Sequence, residues 1–473
     1  GFSAAMGVSL LIPITYGMGP VAALSMLVAM YTSAIYGGSI TAILCHTPGT
    51  PASAATAIDG FQLTKQGRGM EAMGVATLGS AVGGTVSAIA MLLIAPALGA
   101  FSLKFSVLEY FLLSVFGLTV IASLAGDSVI KGLFSGILGL ALGCVGLDAI
   151  SGFPRMTLGV IQLEDGINFV PALIGLFSIS QVMSLAWDVY HGKKGSVIED
   201  EENLRKSRAL PPFKETKTLF PTMARCSIVG TIVGIVPAAG AGVSSWICYS
   251  MGKKFSKHPE KFGHGALEGV ASCETGNNAA TGGALIPLIT LGLPGSSVAA
   301  ILLGGMMIHG LTPGAAMFTK HANTTYAIMI GFLIANILMG IVGLFAARYI
   351  AHVSAVPMGY LGPVITALCF LGTFAIRNNL FDVGVMVVFG LLGFLLKRCG
   401  FAAPPMILGM VLSDICENNW RRAVILANAK GGMLSYFLSR PISIVLALLI
   451  VVSLFSPMMM SYVDKKSKQN VTK

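Results

Sequence analysis

Two stretches of this chain carry the residue types that hold small ions. The first runs from Tyr36-Gly37-Gly38-Ser39 to Thr47-Pro48-Gly49-Thr50-Pro51-Ala52-Ser53. The second runs from Asn277-Asn278 through Gly282-Gly283 to Leu291-Gly292-Leu293-Pro294-Gly295-Ser296-Ser297. Each reads as a short helix, a Pro-Gly break and another short helix. Pro and Gly end a helix and leave backbone carbonyls without partners. The backbone of Thr47, Pro48 and Gly49, and of Gly292, Pro294 and Gly295, is therefore a candidate site for a small cation such as Na+. The helix that restarts at Thr50, or at Ser296 and Ser297, opens on capping hydroxyls, free N–H groups and a positive dipole end. That suits a carboxylate. The candidate substrate-binding side chains are Ser39, Thr47, Thr50, Asn277, Asn278, Ser296 and Ser297.

Other chemistry is sparse. Glu268 and Glu274 lie near the start of the helix before the second break, where they suit proton or Na+ binding, capping or an interfacial role. His46 sits beside the first break and reads either as a titrating group or as packing. Gly242-Val243-Ser244-Ser245-Trp246 lacks the last Gly of a nucleophile elbow, and no HExxH or phosphate-cradling Gly-rich loop is present. An enzyme, a bound cofactor and ATP-driven transport by this chain are all unsupported. The plainest rival reading is that Gly and Ser merely let membrane helices pack closely.

These residues need elements to place them, and the composition fixes their kind. The 473 residues are 55% hydrophobic and 11% charged, with a mean hydropathy of +0.81 and 58 glycines. A soluble domain carries about 25% charged residues. A soluble enzyme, a nucleic-acid binder and a disordered chain are excluded on that ground. The apolar runs are continuous rather than alternating, which favours an all-α polytopic membrane protein over a β-barrel. The net charge of +10 then points to cytoplasmic loops rather than to nucleic acid. The eight cysteines form no CxxC pair and read as small core residues. The chain opens at Gly1 inside an apolar segment, so a preceding piece is expected.

The chain repeats one plan. Pro48-Gly49 recurs 246 residues later as Pro294-Gly295, and Gly37-Gly38 recurs as Gly282-Gly283. Gly152-Phe153, followed by Pro154 and Leu158-Gly159, recurs as Gly400-Phe401, followed by Pro404 and Leu408-Gly409. The expected halves are 1–190 and 222–462, joined by a polar linker at 191–221 and followed by a polar tail at 463–473. Re-entrant helical hairpins are expected at about 36–58 and 281–310. The turn Tyr16 to Pro20 has no charge, whereas its counterpart carries Lys253, Lys254, Lys257 and Lys261. The excess of Lys and Arg in cytoplasmic loops makes the two repeats inverted. Tracing the helices onward puts Lys65, Arg68, Lys131, the linker and the stretch from Lys397 to Arg440 in the cytoplasm. Lys104, Arg155, Lys320, Arg377 and the Lys-rich tail fall outside, and the tail is the misfit. Inverted repeats with interrupted helices mark secondary transporters, whose site lies between the repeats.

The sequence resembles the TctA family, the large membrane subunit of tripartite tricarboxylate transporters. The resembling stretches are YGGSITAILCHTPGTPASAATAIDGFQLTKQGRG (36–69), GLDAISGFPRMTLGVIQLEDGINFVPALIGLFSISQVM (146–183), GIVPAAGAG (234–242), KKFSKHPEKFGHGALEGVASCETGNNAATGGALIPLITLGLPGSS (253–297), NNLFDVGVMVVFGLLGF (378–394) and RRAVILA (421–427). The resemblance implies a multi-pass permease of the bacterial inner membrane. It implies a small membrane subunit of TctB type and a periplasmic solute-binding protein of TctC type as partners. It also implies uptake of a di- or tricarboxylate driven by an ion gradient, with Na+ as the expected ion. Cys45-His46 before the first Pro-Gly departs from the usual pattern at the tip itself. A stand-alone carboxylate transporter is the alternative, and an intramembrane enzyme or a channel is a more distant one.

Overall fold

A computed structural model describes residues 3–124, 128–148, 152–191, 210–236, 239–353 and 358–453. Helices α1 Ala4–Thr15, α2 Pro20–Cys45, α3 Thr56–Lys65, α4 Gly69–Ser102, α5 Val107–Leu124, α6 Val129–Gly143 and α7 Phe169–Tyr190 come first. Then follow α8 Phe213–Ile235, α9 Gly240–Phe255, α10 Leu267–Leu291, α11 Ser297–Ile308, α12 Ala315–Thr319 and α13 Ala322–Val353. The chain ends in α14 Met358–Arg377, α15 Leu380–Arg398, α16 Ala403–Ala429, α17 Met433–Leu438 and α18 Pro441–Ser453. A two-stranded antiparallel ribbon pairs β1 Gly146–Leu147 with β2 Pro154–Arg155. Among the described residues, six helices are long and apolar enough to cross a membrane, and several shorter apolar helices accompany them. Among the described residues the fold is all-α apart from the ribbon.

The centre of the fold is α10. Every residue from Gly269 to Thr290 is buried, including Glu274, Asn277 and Asn278. A helix buried on all sides must satisfy its polar side chains internally. Its neighbours reach it through glycine. A Cβ on Gly79 of α4 would come within 2.9 Å of Thr275, and one on Gly283 would come within 2.9 Å of the Gly234 Cα on α8. Such close backbone approach is how helices associate where lipid supplies no hydrophobic drive.

The segments before and after residues 191–221 are interwoven rather than side by side. α10 packs along α4, and α2 packs along α13. At the periphery, α16 lies on α6 and α7 lies on α15. Helices that precede residue 191 therefore pack on helices that follow residue 213, both at the centre and at the periphery. A π-helical turn, Gly175–Ile179, interrupts α7 where it meets α15.

Three expectations need correction. The segments at 36–58 and 281–310 do not begin with separate short helices. α2 runs unbroken through Gly37-Gly38 to Cys45, and α10 runs unbroken through Gly282-Gly283 to Leu291. Gly38, Gly282 and Gly283 serve close approach, not chain reversal. Second, residues 152–168 and 400–418 differ: the first forms a ribbon and irregular loop, and the second enters α16. Third, the stretch from Lys397 to Arg440 does not lie on one face. Lys131 Nζ donates to the Cys399 carbonyl at 2.6 Å, at the start of this stretch. Further along, Arg421 and Arg155 both reach Glu417, at 2.6 and 2.7 Å. Arg440 donates to Glu109 at 2.5 Å and to the Lys104 carbonyl at 3.1 Å. α16 carries the chain from one face to the other. It is unbroken over 27 residues because its prolines sit in its first turn, where Pro is tolerated.

α8 begins at Phe213, within the 191–221 stretch. Residues 192–209, Pro237-Ala238 and the tail 463–473 lie outside the described residues. Cys226, Cys248, Cys273 and Cys369 are buried free thiols, whereas Cys399 is exposed.

Candidate functional site

The two breaks share one geometry. α2 ends with His46 in the left-handed region (φ 52°), and α10 ends with Gly292 there (φ 70°). In both, the next N–H returns to a carbonyl six residues back: Thr47 to Thr41 at 3.2 Å, and Leu293 to Pro287 at 3.2 Å. This helix-ending turn satisfies carbonyls that would otherwise be orphaned. The chain then doubles back along the helix it has just left. The Gly49 N–H donates to the Gly38 carbonyl at 3.1 Å. A Cβ on Gly49 would lie 2.8 Å from the Gly38 Cα, and one on Gly295 would lie 2.9 Å from the Ala284 Cβ and 3.0 Å from the Gly234 carbonyl. Both positions require glycine for contact, not for a positive φ. After the doubled-back segment, α3 and α11 leave. Ser296 caps α11, accepting from the Ala299 N–H at 3.1 Å, and Thr50 exchanges hydrogen bonds with Ser53.

Between the two doubled-back segments lies a cavity of about 400 Å³. Thr50, Pro51 and Ala52 of the first segment form one wall, and Ser296, Ser297 and Val298 of the second form another. Tyr31 of α2, Phe177 of α7 and Gly240–Val243 of α9 close it. The Tyr31 hydroxyl lies 3.0 Å from the Ser296 Oγ. Among the described residues, no Lys, Arg or His lines the space.

Behind Ala52 a polar chain is sealed between helices. Asn277 Nδ2 donates to the Ala52 carbonyl at 3.3 Å and to Glu274 Oε1 at 3.1 Å. Thr56 donates to Glu274 Oε1 at 2.5 Å, and Ser80 donates to Oε2 at 3.1 Å. Asn278 Nδ2 donates to Asn277 Oδ1 at 2.9 Å. Thr32 contacts both Asn278 Oδ1 and Asn336 Oδ1, at 3.1 and 2.7 Å. All of these side chains are buried.

The sequence candidates thus divide into three groups. Thr50, Ser296 and Ser297 line the cavity. Ser39, Asn277 and Asn278 are buried, the two amides in the chain behind the cavity and Ser39 on the Tyr36 carbonyl at 2.6 Å. Thr47 and Pro48 are exposed, with the Thr47 hydroxyl on the Cys45 carbonyl, and Gly292 faces Pro313. The expected backbone ion ligands therefore do not converge: those of the first tip and those of the second occupy different surroundings. His46 is an exposed helix end whose ring lies 4.7 Å from Phe61. Glu268 is satisfied elsewhere, by Thr222 at 2.5 Å and Ser256 at 2.6 Å. Sequence reasoning missed Tyr31, Thr32, Thr56, Ser80 and Asn336. Asn336 is an isolated amide in an apolar run, which is the signal that could have found it.

The family described as "Tripartite tricarboxylate transporter TctA family" matches residues 1–408. The chain belongs to the TctA family. It is 38% identical over 436 residues to an Agrobacterium vitis protein described as an uncharacterized 52.8 kDa protein in the TAR-I ttuC' 3' region, over 92% of this chain and 85% of that one. It is 36% identical over 214 residues to an uncharacterized protein in the TAR-II ttuC' 3' region of the same organism, over 45% of this chain and 87% of that one. No solved structure matches. TctA membership makes the chain a membrane subunit of a transporter family and accounts for its many apolar helices.

One charged cluster of this TctA chain lies partly beyond the family match. Asp148, Arg155, Glu417 and Arg421 interlock, with Arg421 on Asp148 at 2.5 Å and Arg155 on Glu417 at 2.7 Å, and the last three line a cavity of about 220 Å³. The Glu417 carboxylate that Arg155 hydrogen-bonds raises the proton affinity of this loop guanidinium, so it stays ionised. The cluster ties the 146–168 loop to the end of α16.

Proposed function

We propose that the chain is the large permease subunit of a tripartite system that takes up a di- or tricarboxylate by Na+-coupled secondary transport. Its partners are a small membrane subunit of TctB type and a periplasmic solute-binding protein of TctC type, and it resides in the bacterial inner membrane. The observation that carries the reading is the cavity where the doubled-back segments of both halves meet. Its polar edge is Tyr31, Thr50, Ser296 and Ser297. With no cationic side chain among the described residues of the wall, a carboxylate is held there by hydroxyls and by the N-terminal end of α11, whose free N–H groups carry partial positive charge. A cation bound nearby offsets the anion's charge.

The interwoven packing supports an inverted arrangement. α2 runs away from the face that bears Tyr16, and α10 runs away from the face that bears Lys253. Ser443 meets Glu109, and Leu446 packs with Leu113, so α18 runs beside α5 from the Lys104 face inward. α18 therefore ends, at Ser453, on the side away from Lys104.

The test is uptake of a radiolabelled dicarboxylate by the complex in proteoliposomes. Tyr31→Phe and Ser297→Ala should each lower uptake about tenfold or more, as expected when a buried polar partner is lost. Wild-type uptake in both variants would place the substrate elsewhere.

A further inference from the structure

We propose that the Glu274 carboxylate, with the hydroxyls of Thr56 and Ser80, is the binding site of the coupling cation, Na+. The proposal rests on the Na+-coupled reading above and moves the ion away from the helix breaks.

Glu274 is fully buried, and among the described residues no Lys, Arg or His pairs with it. A buried carboxylate without a counter-charge is costly, and its usual remedies are a cation or a proton. The other acidic groups nearby have no such need. Asp59 of α3 accepts from the N–H groups of Gly263, Gly265 and Ala266 at 2.8, 2.9 and 3.0 Å, and from the Tyr249 hydroxyl at 3.0 Å. Glu268 is only partly buried, so its carboxylate is not cut off from solvent, and it accepts from Thr222 and Ser256.

The donor set fits a hard monovalent ion. Two carboxylate oxygens, Thr56 Oγ1 and Ser80 Oγ converge from α10, α3 and α4. Both hydroxyls point their protons at the carboxylate, which leaves their lone pairs for a cation. One negative charge among neutral oxygens matches a single positive charge, whereas a divalent ion calls for more carboxylates. No group of three His, Cys, Asp or Glu side chains suited to a transition metal occurs among the described residues. The other titratable groups facing this region are Tyr36 of α2, whose hydroxyl is held by Thr77 at 2.7 Å, and Cys273 of α10. Neither supplies a positive charge.

The site also communicates with the cavity. Asn277 bridges Glu274 and the Ala52 carbonyl, and Ala52 is part of the cavity wall. Drawing Glu274 and Thr56 onto a cation therefore pulls on the segment that lines the substrate space. Asn278, Thr32 and Asn336 anchor the far side of Asn277.

The experiment is thermal unfolding of the full-length protein in nanodiscs, titrated with NaCl against choline chloride at constant ionic strength. Wild type should gain stability with Na+, because a ligand that binds only the folded state raises the melting temperature. Glu274→Gln should lose the Na+ response and be no less stable than wild type in choline. Thr56→Val and Ser80→Ala should each shift the Na+ midpoint upward by about tenfold, the usual effect of removing a supporting partner of an ion site. They carry the test if Glu274→Gln does not fold. A wild-type Na+ titration in all folded variants overturns the site while leaving Na+ coupling intact. A wild-type protein that responds to pH but not to Na+ overturns the coupling reading, and this site with it.

Discussion

At the scale of single residues, the two breaks use the same positions differently. His46 and Gly292 occupy equivalent left-handed turns, yet only one is glycine. A side chain there costs about 1–2 kcal/mol. His46→Gly should therefore fold and transport with an unchanged pH profile. His46→Val, β-branched at the same φ, should lose about 1–2 kcal/mol in unfolding measurements. A pH profile displaced in His46→Gly would restore a titrating role to the ring. Gly49 and Gly295 present the opposite case. Their φ values are ordinary, but there is no room for a Cβ against Gly38 or against Ala284 and Gly234. Gly49→Leu and Gly295→Leu should insert normally and fail to transport, because overpacking of about 1–3 kcal/mol or more forces the doubled-back segment off its helix. Normal uptake in Gly295→Leu would remove the second segment from the site.

At the scale of elements, what the sequence could convey depended on how local each signal is. The 246-residue offset that links Pro48-Gly49 to Pro294-Gly295 also links His46 to Gly292 and Thr50 to Ser296, which are a matched helix end and a matched restart. Turn chemistry acts over a few residues, so it was readable. The lengths of α2 and α10 were not. Gly37-Gly38 and Gly282-Gly283 look like breaks in isolation, and only the partners Thr50, Ser87 and Gly234 reveal Gly38, Gly282 and Gly283 as contact points. Charge likewise could not separate Arg421 from Lys397, because their separation depends on α16 staying helical past Asn418-Asn419. Single cysteines at 257, 320 and 430 test the corrected tracing, since all three positions are exposed. Position 257 should react only with reagent on the cytoplasmic side, and positions 320 and 430 only from outside. Labelling of 430 together with 257 would return the end of α16 to the cytoplasm.

At the scale of the whole molecule, the buried polar chain joins the two halves. Thr32, Thr56 and Ser80 come from the first half, and Glu274, Asn277, Asn278 and Asn336 come from the second. The cavity draws its walls from both halves as well. If the proposed cation and anion occupy these places, they act on the same set of packed helices, and their affinities are linked reciprocally. Na+ should tighten a dicarboxylate, and the dicarboxylate should tighten Na+ by the same factor, within the range of about 5–150-fold typical of such coupling. Isothermal binding to the purified membrane complex, with choline replacing Na+ at fixed ionic strength, measures both directions. Asn277→Ala should reduce the factor more than it reduces either affinity alone. It removes the amide that bridges Glu274 to Ala52 and leaves the carboxylate and the cavity hydroxyls in place. A dicarboxylate affinity that is flat in Na+ would separate the two sites, and the polar chain would then be only the seam that holds the halves together.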